Sequence, residues 1–172
     1  MSDRAEPRPQ GVQPPVDGER EPTAYQLTLG AMIFPVWGHW IFNAASAASL
    51  ALVGAPALAL AWLPAVCLSD VVLQFVYRRW MKTAREEDSR RGLRRLSWFV
   101  LAKTCLWFSA STLYVAQSHS MPGLGLLAVN AVSMVALGVS LGWTSRGTFA
   151  AMVVPPVFAL TLACVAAVGL GP

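Results

Sequence analysis

The sequence predicts an all-α, polytopic membrane bundle of about five transmembrane helices, with its N-terminus in the cytoplasm. Three observations predict it. Apolar residues make up 55% of the 172 positions and charged ones only 13%, about half the share usual in soluble domains. The apolar residues gather into five spans, each near the roughly 20 residues that cross about 30 Å of hydrocarbon as a helix. The charges are crowded as well. Eight of nine acids lie in the first twenty-one residues or at Glu86-Glu87-Asp88, and eleven of thirteen Lys and Arg lie in the same tail or between Arg78 and Arg95. The rest of the chain is nearly uncharged and cannot be a solvated surface.

Residues 1–24 form a tail rich in Pro (Pro7, Pro9, Pro14, Pro15, Pro22) and in mixed charge. With almost nothing to bury, it is expected to be disordered and cytoplasmic. The apolar stretch starts too late, with no compact basic segment before it, for a secretory signal peptide. Ser2 excludes the myristoylation pattern.

The membrane domain, 25–172, is expected to hold helices over about 29–53, 56–77, 96–118, 121–143 and 148–170. They must be helices, because a lone strand in lipid cannot satisfy its backbone. Gly54-Ala55-Pro56, Ser120-Met121-Pro122-Gly123 and Thr144-Ser145-Arg146-Gly147 mark tight turns between antiparallel neighbours. Between spans two and three the chain reads RRWMKTAREEDSRRGLRR, a basic loop over 78–95 with eight Lys or Arg against three acids. The positive-inside rule puts it in the cytoplasm, with Arg146 on the same side and Trp80, Trp98 and Trp143 at that interface. Arg78, Arg79, Lys82, Arg85, Arg90, Arg91, Arg94 and Arg95 are expected to contact lipid headgroups. Wedged between two apolar spans, they face membrane lipids and no nucleic acid.

Two ionisable residues lie inside spans. Asp70 is eight residues before Arg78 and Lys103 eight after Arg95, so both sit about 12 Å inside the cytoplasmic boundary. An unpaired charge at such a depth costs at least about 2.5–3.5 kcal/mol. The two are therefore expected to pair, unless the helices turn them apart or Lys103 snorkels to the headgroups. The pair is either a clip between helices or a site for a proton or ligand. His39 and Asn43 share one helical face at i, i+4. With Gln74 and Asn130 they extend a polar layer that is either a pocket or a set of interhelical packing bonds.

The remaining features read as structure. Cys67, Cys105 and Cys164 sit inside apolar spans with no CxxC or Cys/His spacing and are expected to be buried as small hydrophobes. His39 and His119 lie at different depths, so no metal is expected, nor any other cofactor. Gly138 and Gly142 form GVSLG, a GxxxG step that admits a partner helix closely. Pro35, Pro64 and Pro155-Pro156 are expected to bend their helices. There is no Gly-rich phosphate loop, GxSxG or HExxH, so this chain alone is not expected to be an enzyme.

From Arg94 onward the spacing resembles a known pattern: Arg95 and Trp98, Trp107, the short turn from Ser118 to Gly123, Gly138 to Gly142, and Pro155-Pro156. The multi-pass input segments of bacterial sensor histidine kinases and diguanylate cyclases are similar, and the likeness covers about 140 residues with the preceding basic loop and hairpin. The resemblance implies a sensory membrane domain of the bacterial inner membrane, acting in signal transduction, non-catalytic as given. Such segments typically have six helices and an output domain, so a sixth helix is expected soon after Pro172. Two other functions fit the same features: a small transporter or channel subunit using Asp70 and Lys103, and an assembly subunit docking a membrane partner or a second copy through GVSLG.

Overall fold

Thr23 starts the first helix. Its Oγ1 accepts from the Gln26 backbone N–H at 3.3 Å, and Gln26 Oε1 accepts from the Thr23 N–H at 2.8 Å. This reciprocal cap satisfies two backbone donors that a helix start leaves bare. The computed structural model describes residues 22–33, 35–84, 88–142 and 145–169, which hold six α-helices and no strand. They are α1 (Ala24–Ala31), α2 (Val36–Leu52), α3 (Pro56–Thr83), α4 (Ser89–Ser118), α5 (Met121–Gly142) and α6 (Arg146–Gly169). The tail expected to be disordered lies, up to residue 21, outside the described residues.

Four helices, α3 to α6, are long and apolar enough to cross a membrane. The chain is a helical membrane protein on that length and composition. α2, with 17 residues, is at the short end of the range that spans a bilayer.

Two sequence expectations are corrected here. The first apolar span is two helices, because Pro35 has no N–H and disfavours helix at the residue before it, so the chain breaks where a bend was expected. The basic loop over 78–95 is mostly helical: α3 runs on to Thr83 and α4 begins at Ser89. Arg, Lys, Met and Ala are good helix formers, so these helices continue past the last apolar residue. α3 and α4 are 28 and 30 residues long, about 42 and 45 Å at 1.5 Å per residue. They overrun the hydrocarbon at their basic ends. Asp88 caps α4 by accepting from the Arg90 N–H at 3.1 Å.

Serines start the last two helices. Ser120 Oγ accepts from Gly123 N at 3.1 Å and Ser145 Oγ from Thr148 N at 3.3 Å, the bonds expected of N-cap residues. α6 continues through Pro155 and Pro156.

α2 packs along α3, and α6 packs along both α4 and α5. A Cβ on Gly138 would lie 3.1 Å from Val153 Cγ2, so α5 and α6 approach closely at the GxxxG step. The outer faces are apolar: Ile41, Leu60, Leu68, Phe75 and Phe158 are each more than 60% exposed. In lipid that exposure carries no hydrophobic penalty. Cys105 and Cys164 lie on such exposed faces and Cys67 is half-buried, which corrects the expectation that all three are buried.

The interior has two apolar clusters. One gathers Leu50, Trp62, Val66, Trp107, Phe108, Val115 and Leu127, the other Tyr25, Leu29, Leu73, Tyr77, Leu96, Val100 and Met152. Along α3, Asp70 falls between Val66 and Leu73; along α4, Lys103 falls between Val100 and Trp107. The polar residues are therefore sandwiched between two apolar layers.

Candidate functional site

Three helices each contribute an i, i+4 pair to one face: His39 and Asn43 on α2, Asp70 and Gln74 on α3, Lys103 and Trp107 on α4. Residues four apart lie one above the other on a helix, so each helix offers the interior a short polar stripe.

Asp70 is the hub. It is 1% exposed and forms an ion pair with Lys103, whose side chain is 23% exposed, through Oδ1. Its other oxygen, Oδ2, accepts from Asn43 Nδ2 at 2.6 Å. His39 Nδ1 stands 3.9 Å from Oδ1. Asn43 is held in turn: its Oδ1 accepts from Trp107 Nε1 at 3.0 Å, while Nδ2 also lies 3.9 Å from Cys67 Sγ. These partners orient the Asn43 amide, since the indole N–H can only donate and the carboxylate can only accept. The Trp107 ring stacks on Phe42, with centroids 5.3 Å apart and planes 10° off parallel.

The result is a bonded chain, Lys103–Asp70–Asn43–Trp107, across α2, α3 and α4. Its net formal charge is zero. A bare charge inside hydrocarbon is expensive, and here each charge has its opposite in contact.

Beside this chain lies a cavity of about 430 Å³. Sites for small molecules run from about 300 to 1,000 Å³ and are mostly apolar with a few convergent polar groups. Residues of α2 to α6 and the break before α2 line it: Trp37, Phe42, Leu73, Tyr77 and Met134 are apolar or aromatic, and Asp70, Asn43, Gln74, His39 and Lys103 are polar. Gln74 Nε2 donates to the Met32 carbonyl at 3.1 Å, a backbone acceptor at the end of α1 that the Pro35 break leaves without a helical donor.

Of the residues singled out in the sequence, Asp70, Lys103, His39, Asn43 and Gln74 come together around this cavity. Asn130 does not. It is half-buried on α5, is not among the cavity's lining, and its side chain makes no hydrogen bond among the described residues. The notable residue that sequence reasoning did not place here is Trp107. Its signal was an indole one turn from an intramembrane lysine, since a buried Trp N–H needs an acceptor.

The basic end forms a second concave surface, lined by Asp88, Arg90, Arg91, Arg94, Arg95 and Trp98. Arg78, Arg79, Lys82, Arg90, Arg91 and Arg94 are exposed, as headgroup contacts require, and Arg85 lies outside the described residues. Arg95 departs from that group. Its guanidinium lies 4.1 Å from the centre of the Trp80 ring, and Nη2 donates to Tyr25 Oη at 3.4 Å. It binds α1 to α3 and α4 more than it reaches for lipid.

His119, in the left-handed conformation at the end of α4, is exposed and remote in sequence from His39. Among the described residues no group of three His, Cys, Asp or Glu could hold a metal ion. No protein-family model, curated protein or solved structure matches this chain, so its own geometry carries the functional argument.

Proposed function

We propose that this chain is a sensory input domain of a bacterial inner membrane, of the kind that serves a histidine kinase or diguanylate cyclase, and that it reads a small molecule in the cavity beside Asp70 and Lys103. One observation carries the reading: a neutral, bonded polar chain at the wall of a mostly apolar cavity inside the membrane bundle. A clip between two helices needs only Asp70 and Lys103. The addition of Asn43, Trp107 and an adjoining cavity supports a binding site. The spacing of Arg95, Trp98, Trp107, Gly138 and Pro155-Pro156 supports the signalling context. The domain has no chemistry of its own in this reading, and output belongs to a partner or a fused domain.

The experiment uses the chain in lipid nanodiscs and in proteoliposomes. A metabolite panel is screened for saturable binding, then for flux. The expected result is a ligand whose affinity falls roughly tenfold or more in Asp70→Asn, with no flux. Flux that Asp70→Asn abolishes identifies a transporter or channel subunit instead. Co-purification with a fixed membrane subunit and no ligand identifies an assembly role. Coding DNA that continues into, or neighbours, a kinase or cyclase domain supports the sensory reading, and unrelated surroundings count against it.

A further inference from the structure

Beside the polar chain, Gln74 carries a buried oxygen that meets no donor among the described residues. Gln74 is 5% exposed and lines the cavity. Its Nε2 is committed to the Met32 carbonyl. A carbonyl only accepts, so it must face the amide nitrogen, and this settles which way the Gln74 amide points. Oε1 is then turned elsewhere, and it meets no donor among the described residues. Buried acceptors are almost always paired, so this oxygen marks a place in the wall of the cavity where a donor is missing.

The rest of the cavity narrows what could bring that donor. Asp70 and Lys103 already cancel, so an ion would enter with no opposite charge to meet it. Both carboxylate oxygens of Asp70 have donors, from Lys103 and Asn43. The ammonium of Lys103 has three N–H donors and one partner among the described residues, which leaves it able to donate to an oxygen of a guest. The walls are aromatic, with Trp37, Phe42, Tyr77 and Trp107, and flat rings stack on such walls.

We infer that the cavity takes a neutral, ring-bearing small molecule with a hydroxyl or N–H donor, and that Gln74 Oε1 is the atom that selects for the donor. This rests on the proposed ligand-binding role and assigns its ligand class. A hydroxyl satisfies Gln74 Oε1 by donating to it, and its own oxygen can still accept. The same ring without the donor leaves Gln74 Oε1 bare.

Three probes isolate that atom: p-cresol, 4-methylanisole, which keeps the oxygen and loses the donor, and toluene, which loses both. Their affinities for the full chain in nanodiscs are compared by saturation-transfer NMR, with empty nanodiscs as the blank. Wild type is expected to bind p-cresol about tenfold tighter than either other probe. Gln74→Leu is expected to bring p-cresol and 4-methylanisole within about twofold of one another while keeping toluene binding. Equal affinity for p-cresol and 4-methylanisole in wild type, no binding of any probe, or a preference unchanged in Gln74→Leu overturns the inference. If Gln74→Leu does not fold, the wild-type comparison decides alone. A cresol preference found together with flux keeps this assignment and removes the sensory role. An ionic ligand dependent on Asp70, with no cresol binding, does the reverse.

Discussion

Asp70 on α3 and Lys103 on α4 form their ion pair from unequal positions: the carboxylate is 1% exposed and the lysine side chain 23%. The carboxylate cannot leave the interior, whereas the lysine has a flexible stem that can carry its charge toward the headgroups. The two halves of the pair should therefore respond differently to mutation. Breaking a buried pair costs about 3–5 kcal/mol. Lys103→Met, which strands the carboxylate, is expected to lie at that end. Asp70→Asn keeps a neutral acceptor for Asn43 and frees Lys103 to snorkel, and is expected to cost less by about 1 kcal/mol or more. Unfolding in mixed micelles measures both. Equal losses would mean that Lys103 is as trapped as Asp70.

Trp107 and Trp62 both donate an indole N–H between helices, but to different acceptors. Trp107 serves Asn43 Oδ1, a side-chain atom with no other donor among the described residues. Trp62 serves the Leu106 carbonyl at 3.1 Å, which also accepts from Ser109 Oγ. Trp107→Phe keeps an aromatic ring against Phe42 and strands a buried acceptor, at about 1–3 kcal/mol. Trp62→Phe leaves its acceptor served and should cost about 1 kcal/mol or less in hydrogen bonding. The same unfolding assay ranks them, and the reverse order would remove Asn43 from the centre of the polar chain.

Gly92 is where α1 docks on α4. A Cβ there would lie 2.7 Å from two ring atoms of Tyr25, a residue with no exposed surface. Gly92→Ala is expected to cost about 1–3 kcal/mol by overpacking and to make the segment around Tyr25 more susceptible to protease. Gly125, also helical, has nothing within 4 Å of a Cβ. Gly125→Ala is expected to be neutral or stabilising by up to about 1 kcal/mol. Unchanged proteolysis in Gly92→Ala would mean that α1 does not need that contact.

The density of Arg and Lys at the facing ends of α3 and α4 predicts which side they occupy. Green fluorescent protein fused at Met1 should fluoresce in the cytoplasm. Alkaline phosphatase fused after Ser120, at the opposite end of α4, should be active outside it. Phosphatase activity only from fusions at the basic end would invert the orientation.

Counting along the sequence determined most of what lies parallel to the membrane normal. A bilayer has a fixed thickness and excludes charge, so apolar length marks the long helices and the crowding of Arg between 78 and 95 marks one end of them. The same counting gave Asp70 and Lys103 one depth, because each is eight residues from its basic boundary. Helix ends were harder to read. α3 and α4 run past their apolar segments because residues that suit water also suit a helix, and Pro35 divides a stretch whose hydropathy alone reads as continuous. Only the tertiary structure decided which polar residues meet. Asn43 turns to Asp70 and Trp107, Asn130 stays outside the cavity, and Gln74 gives its nitrogen to the Met32 carbonyl. The reason is rotational. Depth follows from chain order and helical rise, whereas facing depends on how each helix is turned about its axis, and helices apolar on nearly every side carry little pattern to fix that turn.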